Sequence, residues 1–184
     1  MNILVTGAGG FLGLNLIKKL LDKGHNVFGL TKKTINFSHN RLHIILSDLF
    51  DINKFEGLNI DVVFHTASRI NFDESKNSIS ELTRDNIIST FNLADFVINN
   101  KISKFIYSST CSVYQDNYDK NKLISEEYPL KPRNSYAVSK LASEWILENK
   151  FKGIIDDFII LRYSSIYGFH QREGSIVPKF IRNV

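Results

Sequence analysis

A tyrosine and a lysine separated by three residues are the pair in this sequence best suited to acid–base chemistry. They are Tyr136 and Lys140, in the segment Tyr-Ala-Val-Ser-Lys. On a helix this spacing puts both side chains on one face, one turn apart. A neighbouring ammonium favours the phenolate, so we predict that Lys140 lowers the pKa of Tyr136 and makes it a general acid and base for a hydroxyl or ketone oxygen. The alternative is a surface tyrosine beside a solvated lysine.

A cluster of hydroxyl side chains runs from Ser108 to Tyr114 and includes Thr110. It directly follows a short apolar segment with the character of a strand. A hydroxyl at that point can hydrogen-bond the same substrate oxygen that Tyr136 would serve. The alternative is a loop whose serine and threonine side chains cap their own backbone.

A glycine-rich loop follows the first apolar segment and opens a helical pattern. Its spacing, with Gly7, Gly10 and Gly13, is G-x-x-G-x-x-G. Glycine suits a tight turn, a close approach to a diphosphate and close packing of helix on strand. A helix N-terminus also offers free N–H groups to an anion. The loop predicts a dinucleotide site, against the alternative of a plain strand-to-helix turn.

The residues that follow the second apolar segment bear on which dinucleotide binds. NAD-binding folds usually have an acidic residue there for the ribose 2′-hydroxyl. This chain has Thr31, Lys32 and Lys33 instead. The cofactor is therefore NAD or NADP(H), and the two cations favour NADP(H). The alternative is that both lysines are solvated loop charges.

The elements that must position these residues alternate along the whole chain. Helical periodicity covers residues 11–21, 80–99 and 135–149, and a further helix begins near Val177. Six apolar segments are predicted to be strands: residues 2–6, 27–30, 43–46, 61–66, 104–108 and 157–162. The pattern predicts an α/β fold, a doubly wound parallel sheet of the Rossmann type with helices on both faces. Binding is then expected at the carboxyl ends of the strands.

Composition excludes several other classes of protein. The 184 residues are 43% hydrophobic and 23% charged, with 23 Lys and Arg against 19 Asp and Glu. The scattered basic residues give no nucleic-acid patch, and no apolar run is long enough to predict a membrane span. The single cysteine, Cys111, fits a reducing compartment, so we expect a cytoplasmic protein. The five histidines form no cluster with metal-ligand spacing, so no metal is predicted.

Taken together, the motifs resemble the extended short-chain dehydrogenase/reductase superfamily. Within it, the chain is most similar to the NAD-dependent epimerase/dehydratase family, which includes UDP-galactose 4-epimerase. The matching motifs, in chain order, are Thr6-Gly7-x-x-Gly10-x-x-Gly13, Ser47-Asp48-Leu49, His65-Thr66-Ala67, Asn86, Ser108-Ser109-Thr110-x-Ser112-Val113-Tyr114, Tyr136-x-x-x-Lys140 and Leu161-Arg162-Tyr163-x-x-x-Tyr167-Gly168.

The resemblance implies a role for each matching residue. Tyr136, Lys140 and Thr110 would be catalytic, with Lys140 also bonding the nicotinamide ribose. Asn86 would be the structural asparagine near the catalytic helix. The residues implied or inferred to bind the cofactor are Gly7, Gly10, Phe11, Leu12, Gly13, Thr31, Lys32, Asp48, Leu49, Thr66, Ala67, Ser68, Asn86, Ser108, Tyr136, Lys140, Tyr163 and Ser165.

Departures from the family pattern narrow the reaction. The 4,6-dehydratases have Asp-Glu after the threonine that Thr110 matches, whereas this chain has Cys111 and Ser112. Ser165 replaces an asparagine that often contacts substrate. We therefore predict a nucleotide-sugar epimerase, with an NADPH-dependent nucleotide-sugar ketoreductase as the second interpretation. A non-catalytic dinucleotide-sensing module is the alternative from another class.

The resemblance also bears on domains and assembly. Residues 1–162 would form the dinucleotide-binding domain, and residues 163–184 would begin the substrate-binding portion. We expect this chain to bind cofactor but to lack a closed substrate site, because relatives continue further. A homodimer is expected through the helices from Ser80 to Asn99 and from Ser135 to Asn149.

Overall fold

A six-stranded parallel sheet forms the centre of the molecule, as a computed structural model shows. The structure describes residues 1–55, 57–70, 79–116, 123–168, 171 and 176–182. The strands are β1 (Asn2–Thr6), β2 (Asn26–Thr31), β3 (Leu42–Leu46), β4 (Val62–His65), β5 (Lys104–Thr110) and β6 (Asp157–Tyr163). Their order across the sheet is β3-β2-β1-β4-β5-β6. The predicted doubly wound fold is confirmed, because the order reverses direction at β1.

In the part of the chain that the structure describes, four helices lie between strands in sequence, and a fifth follows β6. They are α1 (Phe11–Asp22), α2 (Ile79–Leu82), α3 (Ser89–Asn99), α4 (Ser135–Phe151) and α5 (Ile176–Arg182). Short 3₁₀ turns span Ile52–Phe55 and Cys111–Val113. Across the described ranges, no helix is both long enough and apolar enough to cross a bilayer.

The sheet has a hydrophobic core on each face, which explains its continuous apolar strands. On one face Ile3 and Val5 pack with Ile17 of α1. On the other face Leu4 belongs to the same cluster as Leu93 of α3. Successive side chains of a strand point to opposite faces, so a strand covered on both faces must be apolar throughout.

One predicted helix is interrupted in the structure. The pattern from Ser80 to Asn99 predicts a continuous α-helix, but a π-helical segment, Thr83–Ile88, separates α2 from α3. Wide turns of this kind are frequent at functional sites. Here Asn86 lies within the segment, and its carbonyl oxygen accepts from the hydroxyl of Thr90 at 2.5 Å. The single proton of the Ser143 hydroxyl is shared between this oxygen at 3.1 Å and the carbonyl oxygen of Ser139 at 2.9 Å. The side-chain hydroxyls thus satisfy a carbonyl in the widened turn.

Candidate functional site

The glycine loop presents bare backbone at the carboxyl end of β1. Gly7 has φ of +68°, and a Cβ there would lie 2.7 Å from the Cα of Ala67. A Cβ on Gly13 would lie 2.3 Å from the carbonyl oxygen of Gly7. Both distances are too short for any side chain, so the close packing of loop, helix and β4 requires glycine at both positions.

The N-terminus of α1 is open toward this loop. Its N-cap residue, Gly10, has no side chain to cap the helix, and no acidic residue lies in the first turn. The free N–H groups and the positive end of the helix dipole favour an anion. The loop and helix therefore fit the diphosphate of a dinucleotide. Phe11 and Leu12 also line a cleft of about 180 Å³, together with Asn15, Ile166, Tyr167 and Gly168.

The end of β2 is less basic than its sequence indicates. The Nζ atom of Lys32 lies 4.0 Å from Oδ2 of Asp48 and 3.9 Å from Oδ1 of Asp85. Thr31 is buried, and its hydroxyl oxygen accepts from the backbone N–H of Lys33. Asp48 thus partly offsets the charge of Lys32, whereas Asp85 also pairs with Arg69, whose Nε lies 2.8 Å from its Oδ2.

A chain of hydrogen bonds joins the end of β4 and the segment after it to β1 and to α3. Because the Thr90 hydroxyl donates to the carbonyl of Asn86, its oxygen accepts from Nε2 of His65 at 2.9 Å. The other ring nitrogen, Nδ1, then accepts from the Thr6 hydroxyl at 2.7 Å. The Thr6 oxygen in turn accepts from the N–H of Ala67 at 3.1 Å. The chain of donors assigns the Nε2–H tautomer to His65.

The buried His65 makes stability depend on pH. Burial, with a smaller contribution from Lys140, lowers the pKa of His65 from 6.5 to about 3. As pH falls from the unfolded-state pKa of 6.5 toward the folded-state pKa of about 3, the unfolded chain binds a proton at His65 and the folded chain does not. Stability is therefore lost over this range of pH. Between about pH 7 and about pH 5, His65 alone should cost about 2 kcal/mol of unfolding free energy.

That pH effect can be isolated by denaturation at both pH values. In His65→Gln, the difference in unfolding free energy between the two pH values should shrink by about 2 kcal/mol relative to wild type. His43, an exposed histidine on β3, is the control, and His43→Gln should leave that difference as in wild type. An unchanged difference in His65→Gln would contradict the buried, neutral imidazole.

Asn86 connects the segment after β4 to α4. Its Oδ1 accepts from the N–H of Arg69 at 2.7 Å and from the Ser68 hydroxyl at 3.3 Å. Its Nδ2 donates to Oγ of Ser139 at 2.9 Å. Asn86 is buried, and all of these bonds lie beside the helix that carries Tyr136. These bonds connect the segment after β4 to α4, and the role that the resemblance implied for Asn86 stays a prediction.

Tyr136 and Lys140 lie one turn apart on α4, in different environments. Lys140 is fully buried, with Nζ 4.1 Å from the centroid of the Tyr107 ring. Burial lowers the pKa of Lys140 to about 7, and Glu144 opposes the change. Burial raises the pKa of Tyr136, and a hydrogen bond with Ser68 opposes this. The predicted lowering of the Tyr136 pKa is therefore wrong for this structure, because desolvation of the phenol raises the pKa and the hydrogen bond with Ser68 only partly opposes it.

Thr110, which is predicted to be catalytic, also caps the turn that follows β5. Its side-chain oxygen accepts from the N–H of Ser112 at 3.2 Å and caps the 3₁₀ turn Cys111–Val113. The hydroxyl proton remains available as a donor. Thr110 pairs with Tyr163 across β5 and β6. Burial raises the pKa of Tyr163, opposed by a hydrogen bond with Ser108.

The remaining predicted positions lie at the same edge of the sheet. The Thr66 hydroxyl donates to the carbonyl of Thr6 at 2.6 Å, which holds the segment after β4 against β1. Asp48 uses Oδ1 to accept from the N–H of Phe50. Leu49 packs in the hydrophobic core, and Ser165 is exposed. Within the described ranges, no group of three or more His, Cys, Asp or Glu side chains could hold a metal ion.

A buried ion pair that the sequence did not predict lies next to this site. Glu144 is completely buried, and its Oε2 lies 2.7 Å from Nη2 of Arg162. Glu144 follows Lys140 by four residues, as Lys140 follows Tyr136. This repeated four-residue spacing could have indicated that Glu144 shares a helix face with Lys140. A glutamate on a helix is usually solvated, however, so the spacing alone did not predict a buried ion pair.

The comparison with known families agrees with this architecture. The family model described as "NAD dependent epimerase/dehydratase family" matches residues 3–184. The chain belongs to the NAD-dependent epimerase/dehydratase family. The predicted family resemblance is thereby confirmed.

Relatives within the NAD-dependent epimerase/dehydratase family include both reaction types. The chain is 35% identical to a dTDP-D-glucose 4,6-dehydratase of Dictyostelium discoideum, over 97% of this chain and 47% of that protein. It is 30% identical to a putative UDP-glucose 4-epimerase of Methanocaldococcus jannaschii, over 97% of this chain and 61% of that protein. The chain thus spans about half to three-fifths of the length of these curated relatives.

Solved structures in the family have the same fold. The UDP-glucuronic acid 4-epimerase of Bacillus cereus, in complex with UDP-glucuronic acid and NAD, superposes with a TM-score of 0.87 at 29% identity. The match covers 100% of this chain and 62% of that one. MoeE5 in complex with UDP-glucose and NAD also gives 0.87, at 27% identity, over 99% of this chain and 60% of its own.

Proposed function

We propose that this protein binds NAD or NADP(H) at the carboxyl ends of its strands and takes part in nucleotide-sugar epimerisation. One observation carries the proposal: the helix with Tyr136 and the buried Lys140 is bonded through Asn86 to the segment after β4, which packs on the open glycine loop. Family membership and the nucleotide sugars bound by the solved relatives support it. In the same proposal, residues 1–162 are the dinucleotide-binding domain and residues 163–184 begin the substrate-binding portion.

The chain's own residues supply positioning and proton transfer. When bound, the nicotinamide supplies the oxidation and reduction of a sugar carbon. The Tyr136 hydroxyl gives a proton to the sugar oxygen or takes one from it. Because its raised pKa keeps Tyr136 protonated in this structure, the phenol is ready to act as an acid, and acting as a base requires a nearby cation. Lys140 is the charged group on the adjacent turn, and Thr110 donates its free hydroxyl proton to the same oxygen.

The choice among family reactions rests on the two residues after Thr110. Cys111 and Ser112 are exposed and carry no carboxylate that could assist removal of water. This supports epimerisation over dehydration, although several relatives are dehydratases. A ketoreductase remains the second candidate, because the lysines after β2 favour NADPH, the usual cofactor of reductases. A dinucleotide-sensing module is the third, and it would leave Tyr136 without a chemical role.

Cofactor choice stays a prediction. Lys32 and Lys33 support NADP(H), whereas the two carboxylates within 4.0 Å of Lys32 oppose it. The solved relatives named above were bound to NAD. Titration calorimetry with NAD and NADP⁺ in parallel compares the two directly.

The function is tested by following cofactor and sugar together. An epimerase converts one nucleotide sugar into its epimer with no net change in cofactor absorbance, because the redox step is reversed within each turnover. A ketoreductase consumes NADPH in proportion to product. In a preparation that includes a complete substrate-binding portion, binding of cofactor with no conversion of UDP-glucose, UDP-glucuronic acid or dTDP-glucose would favour the sensing module and contradict the proposal.

We further propose that the protein forms a homodimer through the helical segments from Ser80 to Asn99 and from Ser135 to Asn149, as the resemblance implied. These helices pack on each other and carry large apolar side chains on their outer sides. Val138 and Trp145 are seven residues apart and so share one face of α4. Four apolar residues of these segments are partly exposed to solvent: the exposed fraction is 44% for Ile88, 43% for Phe91, 50% for Val138 and 54% for Trp145. Such a patch is best covered by a second copy of itself.

A charge in this patch should abolish the dimer. Trp145→Glu is expected to sediment as a monomer under conditions where wild type sediments as a dimer. Ile154→Glu is the control, because Ile154 is similarly exposed but lies between α4 and β6. A monomeric wild-type protein, or a dimeric Trp145→Glu variant, would contradict this interface.

A further inference from the structure

One buried carboxylate joins α4 and β5, the two elements that carry the proposed catalytic residues, to β6. Oε2 of Glu144 on α4 accepts from Nη2 and Nε of Arg162 on β6, at 2.7 and 3.1 Å. Its Oε1 accepts from the hydroxyl of Ser109 on β5. Glu144 is completely buried, so these partners replace the water that its charge has lost.

The carboxylate lies in line with the proposed catalytic pair. Tyr136, Lys140 and Glu144 follow one another at intervals of four residues on α4. Residues at this spacing stack on neighbouring turns of one helix side. Fixing Glu144 against the sheet therefore fixes the rotation and the height of the turns that carry Lys140 and Tyr136.

The arginine extends the connection to the segment that follows Thr110. Nη1 of Arg162 donates to the hydroxyl of Tyr114 at 2.9 Å and to the carbonyl of Glu126 at 3.1 Å. The guanidinium carbon also lies 4.9 Å from the centroid of the Tyr114 ring. Ser109, one of the groups that Glu144 holds, directly precedes Thr110 in β5. The Glu144–Arg162 ion pair thus contacts both α4, which carries Tyr136 and Lys140, and the end of β5, which carries Thr110.

Glu144 also acts on Lys140 through its charge. Lys140 is fully buried, and an isolated buried ammonium tends to lose its proton. Several titratable or charged groups face it, on its own helix and on the strands beneath. They are Tyr136 and Glu144 on α4, Tyr107 on β5, and His65 on β4, with Arg162 on β6 behind Glu144. Of these, Glu144 is the one that favours the charged form of Lys140 as a counter-ion.

We propose that Glu144 is a positioning residue of this site, which, held by Arg162 and Ser109, sets α4 against β5 and β6 and keeps the buried Lys140 charged beside Tyr136. The functional meaning of this role rests on the proposed function. A purely structural ion pair would stabilise the fold in the same way but would leave the protonation of Lys140 unaffected. Titration of Lys140 therefore separates the two roles.

The test follows the Lys140 side chain by NMR in protein with ¹³C-labelled lysine, without cofactor or sugar. The signal of Lys140 is identified by its absence in Lys140→Arg. In Glu144→Gln, the midpoint of the Lys140 titration should fall by roughly 1 to 3 pH units, as expected for loss of a nearby opposite charge. Glu148 is two turns away from Lys140 on the same helix and is exposed, so Glu148→Gln should leave the midpoint at its wild-type value.

A second variant keeps the test decisive if Glu144→Gln does not fold. Glu144→Asp retains the charge but withdraws the carboxylate by one methylene, so its Lys140 midpoint should fall by less than in Glu144→Gln. A folded Glu144→Gln or Glu144→Asp variant with the wild-type midpoint would overturn the proposal. Because the measurement uses no ligand, its failure is distinct from a failure of the protein to bind NAD or convert a sugar.

Discussion

Replacement of Tyr136 by phenylalanine is expected to lower nucleotide-sugar turnover by about 100- to 10,000-fold, the usual contribution of a general acid or base. The phenyl ring keeps the volume of the half-buried side chain, so the packing of α4 should not change. Only the hydroxyl and its hydrogen bond with Ser68 are lost. The measurement is the initial rate of sugar conversion in an active preparation, with cofactor affinity measured beside it.

Cofactor affinity decides how a loss of turnover is interpreted. The glycine loop, which would hold the diphosphate, is not touched by the substitution, so the cofactor should still bind, with at most the loss of one contact from the Tyr136 hydroxyl. Tyr128→Phe removes a hydroxyl from a tyrosine that packs edge-to-face on Tyr114, and its activity should match wild type. Equal turnover in Tyr136→Phe and wild type would exclude Tyr136 as the acid and base.

The second large effect is expected from Arg162→Met, which leaves Glu144 buried without its partner. Breaking a buried ion pair in this way costs about 3 to 5 kcal/mol of unfolding free energy. The side chains of Glu144 and Arg162 are only 0% and 17% exposed, so water cannot replace the lost guanidinium. Urea denaturation measures the loss.

The double variant identifies the origin of that loss. In Arg162→Met with Glu144→Gln, no unpaired buried carboxylate remains, so part of the lost stability should return, less the effect of removing the counter-ion of Lys140. Lys104→Met is the control, because the Lys104–Asp157 pair has side chains 50% and 57% exposed and should contribute about 0–1 kcal/mol. A cost for Arg162→Met as small as that of Lys104→Met would contradict the buried pair.

Much of the fold was predictable because it depends on local patterns. The apolar strands, the helical periods and the glycine loop are all short-range signals, and βαβ connections are nearly always right-handed. The pattern from Ser80 to Asn99 was the exception. Its π-helical turn is stabilised by the hydroxyl of Ser143 on another helix, a contact that no local pattern contains.

The candidate site also has features that local sequence predicts and features that it does not. The spacing of Tyr136 and Lys140 and of the glycines is written in the sequence, since it depends only on helix geometry and steric limits. The carboxylates beside Lys32 come from two different segments, at residues 48 and 85. Such partners become neighbours only when the sheet assembles.

The sequence by itself determined the family, the order of the elements and the residue types available for chemistry. Only the tertiary structure decided their electrostatics: Lys140 is buried beneath the site, Tyr136 has a raised pKa, and Glu144 meets Arg162 across 18 residues. The physical reason is that desolvation and Coulomb energies depend on distance and burial in space. Spacing along the chain specifies neither.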